Sequence, residues 1–202
     1  MESLDLYDRQ KGLDLKVPNS ICVIGLGGIG SWIALFSAMV GVKKIVLIDN
    51  DTIEIHNLNR MPFRLSDVGK HKVLAISELI YERRNDIEVI PIAKRIQQLN
   101  EYERKFLEDA EYIIDCRDNT QPLPNFIHGK RIVALRYDGF KITIHFNPNY
   151  EKIWSRNVGY TVIPSFVAPP VIISAIALTK ICTEFPSDEK IVTVDIRNLV
   201  KI

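Results

Sequence analysis

The chain has 202 residues, of which 47% are hydrophobic and 25% are charged, and its formal net charge is +1 at pH 7. This length fits one α/β domain, and the near-neutral charge gives no indication of nucleic-acid binding. Prolines interrupt the apolar stretches before any reaches the ~20 residues that a membrane-spanning helix needs, and the N-terminus lacks the pattern of a signal sequence. We therefore expect one cytoplasmic domain over residues 1–202 that binds neither nucleic acid nor membrane.

The three cysteines indicate neither a disulfide framework nor a zinc site. Cys22, Cys116 and Cys182 are far apart and form no Cys-x-x-Cys pair, which is the spacing typical of structural zinc ligands. Each lies in an apolar context, where a thiol usually packs as a small hydrophobic side chain. We expect no zinc in this protein.

Strands and helices alternate along the first half of the chain. Short apolar runs predict strands over residues 20–24, 44–48 and 87–92. Apolar residues at helical spacing predict helices over residues 29–40 and 70–84. A glycine cluster ends the first strand, and an acidic segment ends the second.

The second half continues the alternation and adds a different strand pattern. Strands are predicted over residues 112–115, 132–136, 141–146 and 191–196, and helices over residues 101–108 and 166–182. The last two strands alternate between apolar and polar residues, as antiparallel strands do. The order of elements predicts a Rossmann-like α/β fold, with a mostly parallel sheet flanked by helices and antiparallel strands toward the C-terminus.

A glycine-rich segment, here called the glycine loop (residues 25–31), connects the first strand to the first helix. Glycines there permit a tight turn and a close approach of the backbone to an anion at the helix N-terminus. The candidate phosphate-binding residues are Gly25, Gly27, Gly28 and Gly30. Asp49, about 20 residues further on, is placed to accept hydrogen bonds from ribose hydroxyls. The loop predicts nucleotide binding but does not distinguish ATP from NAD.

A cluster of charged and amide side chains follows the second strand. It comprises Asp51, Asn57, Arg60 and Lys72. Cations at this place favour ATP, because a triphosphate carries about four negative charges and adenylyl transfer adds charge to the leaving pyrophosphate. Asp118 follows the strand over residues 112–115 and is expected at the same edge of the sheet. A carboxylate there can bind Mg²⁺ together with phosphate oxygens.

These motifs, in this order, resemble those of the ThiF/MoeB and ubiquitin-activating adenylyltransferases. The matching segments are the glycine loop, Asp49-x-Asp51, Asn57-x-x-Arg60, Lys72 and Asp115-Cys-x-Asp118-Asn119. The resemblance extends from about residue 7 to residue 183. It implies an ATP-dependent adenylyltransferase that activates the C-terminal carboxylate of a ubiquitin-like or sulfur-carrier protein, or of a peptide, and that forms a homodimer.

The resemblance also implies roles for single residues. Asp49 would bind the ribose, Asp118 would bind Mg²⁺, and the phosphates would be held by Asn57, Arg60 and Lys72. The segment Tyr7-Asp-Arg9-Gln10 is similar to the family's N-terminal Tyr-Ser-Arg-Gln segment, whose arginine reaches the partner subunit's ATP site. By this likeness Arg9 is a catalytic residue supplied across the dimer, together with the phosphate-binding cations and Asp118.

The sequence departs from the family pattern in two places. Many relatives carry two Cys-x-x-Cys pairs that bind zinc, and this chain has neither. Relatives that transfer the acyl group to themselves use a cysteine before the last long helix, but residues 156–165 contain none. Cys182 lies in an apolar setting, where a thiol is a poor nucleophile. We expect adenylation without a self-thioester step, with the acceptor tail passing near residues 136–140.

Each assignment has an alternative. Asp51 could simply cap the following turn, and Arg60, Lys72 and Arg9 could be solvated surface charges. An NAD-dependent oxidoreductase would account for the glycine loop and Asp49 but would leave the cations unexplained. A peptide- or small-molecule-adenylating enzyme would share every ATP residue. A non-catalytic subunit of a heterodimeric activating complex would keep the fold without turnover.

Overall fold

The computed structural model describes residues 6–118, 123–127, 129–150 and 164–199. The strands, in chain order, are β1 (Ser20–Ile24), β2 (Lys44–Ile48), β3 (Glu88–Ile92), β4 (Tyr112–Asp115), β5 (Arg131–Asp138), β6 (Lys141–Phe146) and β7 (Lys190–Asp195). The helices are α1 (Gly28–Val40), α2 (Lys72–Tyr81), α3 (Glu101–Glu108) and α4 (Ala168–Cys182). None of these helices is long and apolar enough to cross a membrane, a statement that holds for the described ranges.

The strands form one mixed sheet in the order β3-β2-β1-β4-β5-β6-β7. The first five strands are parallel, whereas β6 pairs antiparallel with β5 and β7 pairs antiparallel with β6. This confirms the predicted Rossmann-like fold with antiparallel strands toward the C-terminus. After β1 the chain forms β2 and β3 on one side of β1, and it then crosses to form β4 on the other side of β1. A crevice therefore opens at the carboxyl ends of β1 and β4, the place where ligands bind in open α/β sheets.

Both faces of β1, β2 and β4 are buried, which explains the continuous apolar runs of these strands. Helices α1, α2 and α4 cover one face, where Ile33, Ile76 and Ile173 are fully buried. Helix α3 covers the other face through Leu107, which is 2% exposed. The sheet thus holds the carboxyl ends of its strands rigidly between two packed layers.

The helix predicted over residues 70–84 is shorter than expected. It begins at Lys72, because Thr52 and His71 form an isolated β-bridge and the Lys72 N–H donates to the Asp51 carbonyl oxygen at 3.0 Å. The prediction rested on the helical spacing of apolar residues in this segment, a pattern that does not fix the first residue of the helix. This tertiary contact fixes Lys72 in the first turn of α2, beside the end of β2.

Two other elements differ from their predicted bounds by two residues at one end, for local reasons. Strand β5 extends to Asp138 instead of ending at residue 136, because it continues into a tight hairpin with β6. Helix α4 starts at Ala168 instead of residue 166, with prolines in its first turn, where the missing N–H groups cost no helical hydrogen bond. The hairpin and the start of α4 both lie beside the crevice.

Candidate active site

A cleft of about 830 Å³ occupies the crevice at the carboxyl ends of the parallel strands. This volume is within the range of small-molecule sites. The predicted site residues that line it are Gly25, Gly27, Gly28, Asp49, Asp51, Asn57, Arg60, Lys72 and Asp118. The fold therefore brings together most of the predicted site residues, although Gly25 and Asp118 are more than 90 positions apart in the chain.

The glycine loop has a shape that larger residues would not permit. Gly25 has φ +86°, and a Cβ there would lie 3.0 Å from the backbone nitrogen of Arg117. A Cβ at Gly30 would overlap the carbonyl oxygen of Gly25, so Gly30 serves loop packing and does not line the cleft. A Cβ at Gly27 would meet no atom within 4 Å. The loop is thus open toward the cleft, where the N-terminus of α1 presents free N–H groups to an anion.

The Asp49 carboxylate joins the glycine loop to the end of β2. Its Oδ2 accepts a hydrogen bond from the Leu26 N–H at 2.5 Å, and its Oδ1 accepts one from the Asp51 N–H at 2.7 Å. Burial raises the pKa of Asp49, partly opposed by the nearby charge of Lys72. Each carboxylate oxygen has a further lone pair that can accept a hydroxyl hydrogen. Asp49 is therefore held in one orientation and can still receive a ribose.

Lys72 lies at the wall of the cleft and is not a solvated surface charge. Its side chain is 9% exposed, and its Nζ is 2.9 Å from Oδ2 of Asp51. Asp51 is 58% exposed, and it pairs with this cation instead of capping a turn. An ammonium group in this position has little water around it, so an incoming anion would interact with it strongly.

Arg60 is positioned by contacts on both its backbone and its side chain. Its carbonyl oxygen accepts a hydrogen bond from the Trp32 indole N–H at 2.9 Å. Its Nη1 donates to the His56 carbonyl oxygen at 2.9 Å and to Asn59 Oδ1 at 3.0 Å. Nearby, Asn57 is 5% exposed and accepts the Glu54 N–H at 3.0 Å. These contacts hold the connection between β2 and α2 so that Arg60 borders the cleft.

Sequence reasoning missed a buried ionic network under the end of β4. Asp115 is fully buried, and its carboxylate accepts hydrogen bonds from Arg117 Nε at 2.8 Å, Tyr150 Oη at 2.8 Å and Arg136 Nη2 at 3.2 Å. Burial alone would raise the pKa of Asp115, but the charges of Arg136 and Arg117 hold it at about 2. The Asp115-x-Arg117 spacing was the available signal. The network fixes the backbone that carries Asp118.

Asp118 is exposed and lines the cleft opposite the end of β2. Within the described ranges, no group of three or more His, Cys, Asp or Glu side chains is arranged to hold a metal ion. Mg²⁺ does not require such a group, because it usually binds one or two carboxylates together with substrate phosphates. The donor set therefore fits Mg²⁺ only when a phosphate ligand is present. Asn119, the next residue of the motif, lies outside the described residues.

Arg9 is remote from the cleft of its own chain. It is exposed in a short 3-10 helix (Asp8–Gln10), and the preceding Tyr7 packs against Gly41 at the C-terminal end of α1. Helix α1 has 13 residues, so about 20 Å separates its ends. A role of Arg9 at an ATP site would require a second chain, and it stays a prediction.

All three thiols lie in positions that disfavour nucleophilic chemistry. Cys116 lines the cleft, and burial raises its pKa, as burial raises that of Cys22. Burial also raises the pKa of Cys182 to about 11. The thiolate is the reactive form, so these cysteines are poor nucleophiles at neutral pH. Residues 156–165, the segment in which the resemblance led us to look for a reactive cysteine, lie largely outside the described residues.

Comparison with solved structures shows the same fold. MccB of Escherichia coli bound to ATP superposes with a TM-score of 0.65 at 21% sequence identity, covering 90% of this chain and 65% of MccB. MccB with AMPCPP and MccA gives a TM-score of 0.68 at 20% identity, covering 96% of this chain and 72% of MccB. These similarities concern the fold alone.

Sequence comparison finds closer relatives that cover part of the chain. A tRNA threonylcarbamoyladenosine dehydratase of Bacillus subtilis is 34% identical over 54% of this chain and 43% of its own length. The sulfur carrier protein ThiS adenylyltransferase of Escherichia coli is 30% identical over 59% of this chain and 45% of its own length. The NEDD8-activating enzyme E1 catalytic subunit of Arabidopsis thaliana is 37% identical over 62% of this chain and 27% of its own length. The chain spans less than half the length of these relatives.

The sequence model of the ThiF family matches residues 7–128, from the segment around Arg9 to beyond the end of β4. This range contains the glycine loop, Asp49, Arg60, Lys72 and Asp118, which are the residues on which the resemblance was based. The match confirms that resemblance: the chain belongs to the ThiF family.

Proposed function

We propose that this chain binds Mg·ATP in the cleft and transfers its adenylyl group to a carboxylate, that of the C-terminus of a ubiquitin-like or sulfur-carrier protein or of a peptide. One observation carries the proposal: Arg60 and Lys72 border the same cleft as the glycine loop and Asp118. A dinucleotide site has no need of two cations beside its pyrophosphate, whereas a triphosphate does. The names of two relatives, a ThiS adenylyltransferase and a NEDD8-activating enzyme, support this class of acceptor.

In this proposal each group that lines the cleft binds one part of Mg·ATP. The glycine loop and the N-terminus of α1 receive the α-phosphate, and Asp49 accepts the ribose hydroxyls. Arg60 and Lys72 bind the β- and γ-phosphates, and Lys72 exchanges Asp51 for a phosphate oxygen. Mg²⁺, held by Asp118 and phosphate oxygens, would neutralise charge on the triphosphate.

The reaction needs no side-chain base. A carboxylate oxygen of the acceptor attacks the α-phosphorus, and a new P–O bond forms. The bond from the α-phosphorus to the bridging oxygen breaks, and pyrophosphate leaves with that electron pair. The carboxylate is already ionised at neutral pH, so no proton moves. The chain contributes positioning of the two reactants and stabilisation of the charge that develops on pyrophosphate.

A thermal-shift comparison with Mg·ATP, Mg·AMP and NAD⁺ tests the nucleotide part. A ligand at about 100 times its Kd stabilises the folded state by roughly 2.7 kcal/mol, which is a readable shift. We expect stabilisation by Mg·ATP that falls in Asp118→Asn, and none by NAD⁺. Stabilisation by NAD⁺ alone would contradict the proposal.

The acceptor is tested by pyrophosphate release. Purified protein is mixed with Mg·ATP and either a sulfur-carrier protein ending in glycine or a short peptide with a free C-terminus. We expect release that depends on the acceptor, with AMP found on its C-terminus by mass spectrometry. ATP binding without release, for the carrier and the peptide alike, would instead favour a non-catalytic subunit of an activating complex.

A further inference from the structure

Tyr137, on β5, lies on the cleft wall at a place that the proposed function has not used. It is partly buried and lines the cleft. Its hydroxyl oxygen would be 3.3 Å from a Cβ at Gly28, so it lies beside the first residue of α1. A group bound next to the N-terminus of α1 would therefore be adjacent to this hydroxyl.

The Tyr137 hydroxyl is paired with a second hydroxyl. Its Oη is 2.6 Å from Oγ of Ser165, just before α4. Two hydroxyls carry two hydrogens, and the bond between them uses one. Among the described residues neither oxygen has another hydrogen-bond partner. The pair therefore has one O–H left to donate to a third group in the cleft.

A chain of hydrogen bonds connects this pair to Arg60. Arg60 Nη1 donates to Asn59 Oδ1 at 3.0 Å, Asn59 Nδ2 donates to the Ser165 carbonyl oxygen at 3.1 Å, and Ser165 contacts Tyr137. These hydrogen bonds hold the Arg60 guanidinium and the Tyr137 hydroxyl in fixed positions relative to each other. Lys72 lies beside the end of β2 and Tyr137 lies on β5, with β1 and β4 between these strands, so the ammonium group and the hydroxyl belong to different sides of the cleft.

Arg136, the cation next to Tyr137 on β5, is bound to Asp115. Successive side chains of a strand point to opposite faces, and Arg136 donates to the Asp115 carbonyl oxygen at 2.7 Å and to its carboxylate. A neutral donor suits an attacking carboxylate, because a cation would stabilise the ionised ground state and weaken the nucleophile. Tyr137 can orient the carboxylate without that penalty.

We propose that Tyr137, held by Ser165, positions the acceptor carboxylate by donating a hydrogen bond to the oxygen that does not attack. This inference rests on the proposed function. In-line displacement requires the acceptor to approach the α-phosphorus from the side opposite the pyrophosphate. The proposed function assigns the pyrophosphate to Arg60 and Lys72, which follow β2, whereas Tyr137 lies on β5. After the reaction the same O–H donates to the acyl carbonyl oxygen of the adenylate. The hydroxyl keeps its proton throughout, so the bonds made and broken are those of adenylyl transfer alone.

Calorimetric binding of two probes tests the proposal without knowledge of the acceptor. AMP has no acyl group, whereas 5′-O-(N-glycylsulfamoyl)adenosine is a stable mimic of a glycyl-adenylate. We expect the wild-type chain to bind the mimic more tightly than AMP. Tyr137→Phe should reduce that preference about 3- to 10-fold, the worth of one neutral hydrogen bond, with AMP affinity unchanged. Ser165→Ala should reduce it less, since the tyrosine hydroxyl remains.

The matched control is Tyr102→Phe, which removes a hydroxyl from an exposed tyrosine on α3 and should change neither affinity. Unchanged AMP binding also shows that Tyr137→Phe is folded. If Tyr137→Phe loses affinity equally for both probes, the residue acts in nucleotide binding or in the fold. If the preference for the mimic is unchanged, Tyr137 does not contact the acyl group. A wild-type chain that binds neither probe would contradict the proposed function itself.

Discussion

Replacement of Lys72 by methionine tests whether the buried cation belongs to an ATP site. Two unit charges about 3 Å apart interact by roughly 5–6 kcal/mol at an effective dielectric constant of about 20. Lys72 already pairs with Asp51 at 2.9 Å, so the gain on binding a triphosphate is the difference between the two pairings. Because the triphosphate carries several charges, we take this difference as about 3–4 kcal/mol, which is a factor of about 10²–10³ in rate.

The same replacement should have little effect on folding stability. Asp51 is 58% exposed, so it regains water when its partner is removed, and the pair contributes no more than about 1 kcal/mol. Methionine keeps the apolar stem of the side chain in place. We expect a fall in the melting temperature of at most about 2–4 °C.

The assays are pyrophosphate release and thermal denaturation, each measured on wild type, Lys72→Met and a matched control. Lys70→Met removes a cation two residues away that pairs with Glu78 at 2.7 Å and Asp67 at 3.1 Å, outside the cleft. It should leave turnover unchanged. Turnover by Lys72→Met within a factor of about three of wild type would refute the reasoning, and equal losses in both variants would show a general electrostatic effect.

Three further predictions concern the loop, the buried network and the N-terminus. Gly27→Ala should fold normally but bind Mg·ATP more weakly, because its methyl group enters the open cleft. Gly30→Ala should lower the melting temperature, because its methyl group overlaps the carbonyl oxygen of Gly25. Equal melting temperatures of the two variants would contradict this prediction. The pKa of Asp115 is held at about 2, below its usual value of about 3.9. Above about pH 4 the ionised carboxylate therefore adds roughly 2–3 kcal/mol to the free energy of unfolding, and this contribution is lost as the pH falls toward 2. Asp115→Asn should flatten this part of the acid unfolding curve followed by circular dichroism. If Arg9 acts across a homodimer, an equal mixture of the inactive variants Arg9→Ala and Lys72→Met should regain up to about a quarter of wild-type turnover after subunit exchange, and no recovery would argue against this trans role.

The sequence alone determined the class of fold and the neighbourhood of the site. Parallel strands buried on both faces require continuous apolar runs, and amphipathic helices require a 3.6-residue repeat, so both are visible locally. The glycine loop is likewise a local requirement, since Gly25 needs a positive φ and Gly30 needs the absence of a Cβ. The carboxyl ends of parallel strands meet at one edge, which made it possible to predict that Asp49 and Asp118 share a cleft.

Only the tertiary structure decided which polar groups are partners. The β-bridge between Thr52 and His71 shortens α2 and places Lys72 against Asp51. The pair of hydroxyls joins Tyr137 to a residue 28 positions later. Such contacts depend on where separate segments cross, and no periodicity in either segment encodes the crossing. The sequence could therefore name the charges of the site, but which of them are held, paired or left to face the ligand is decided by how the loops pack over the sheet.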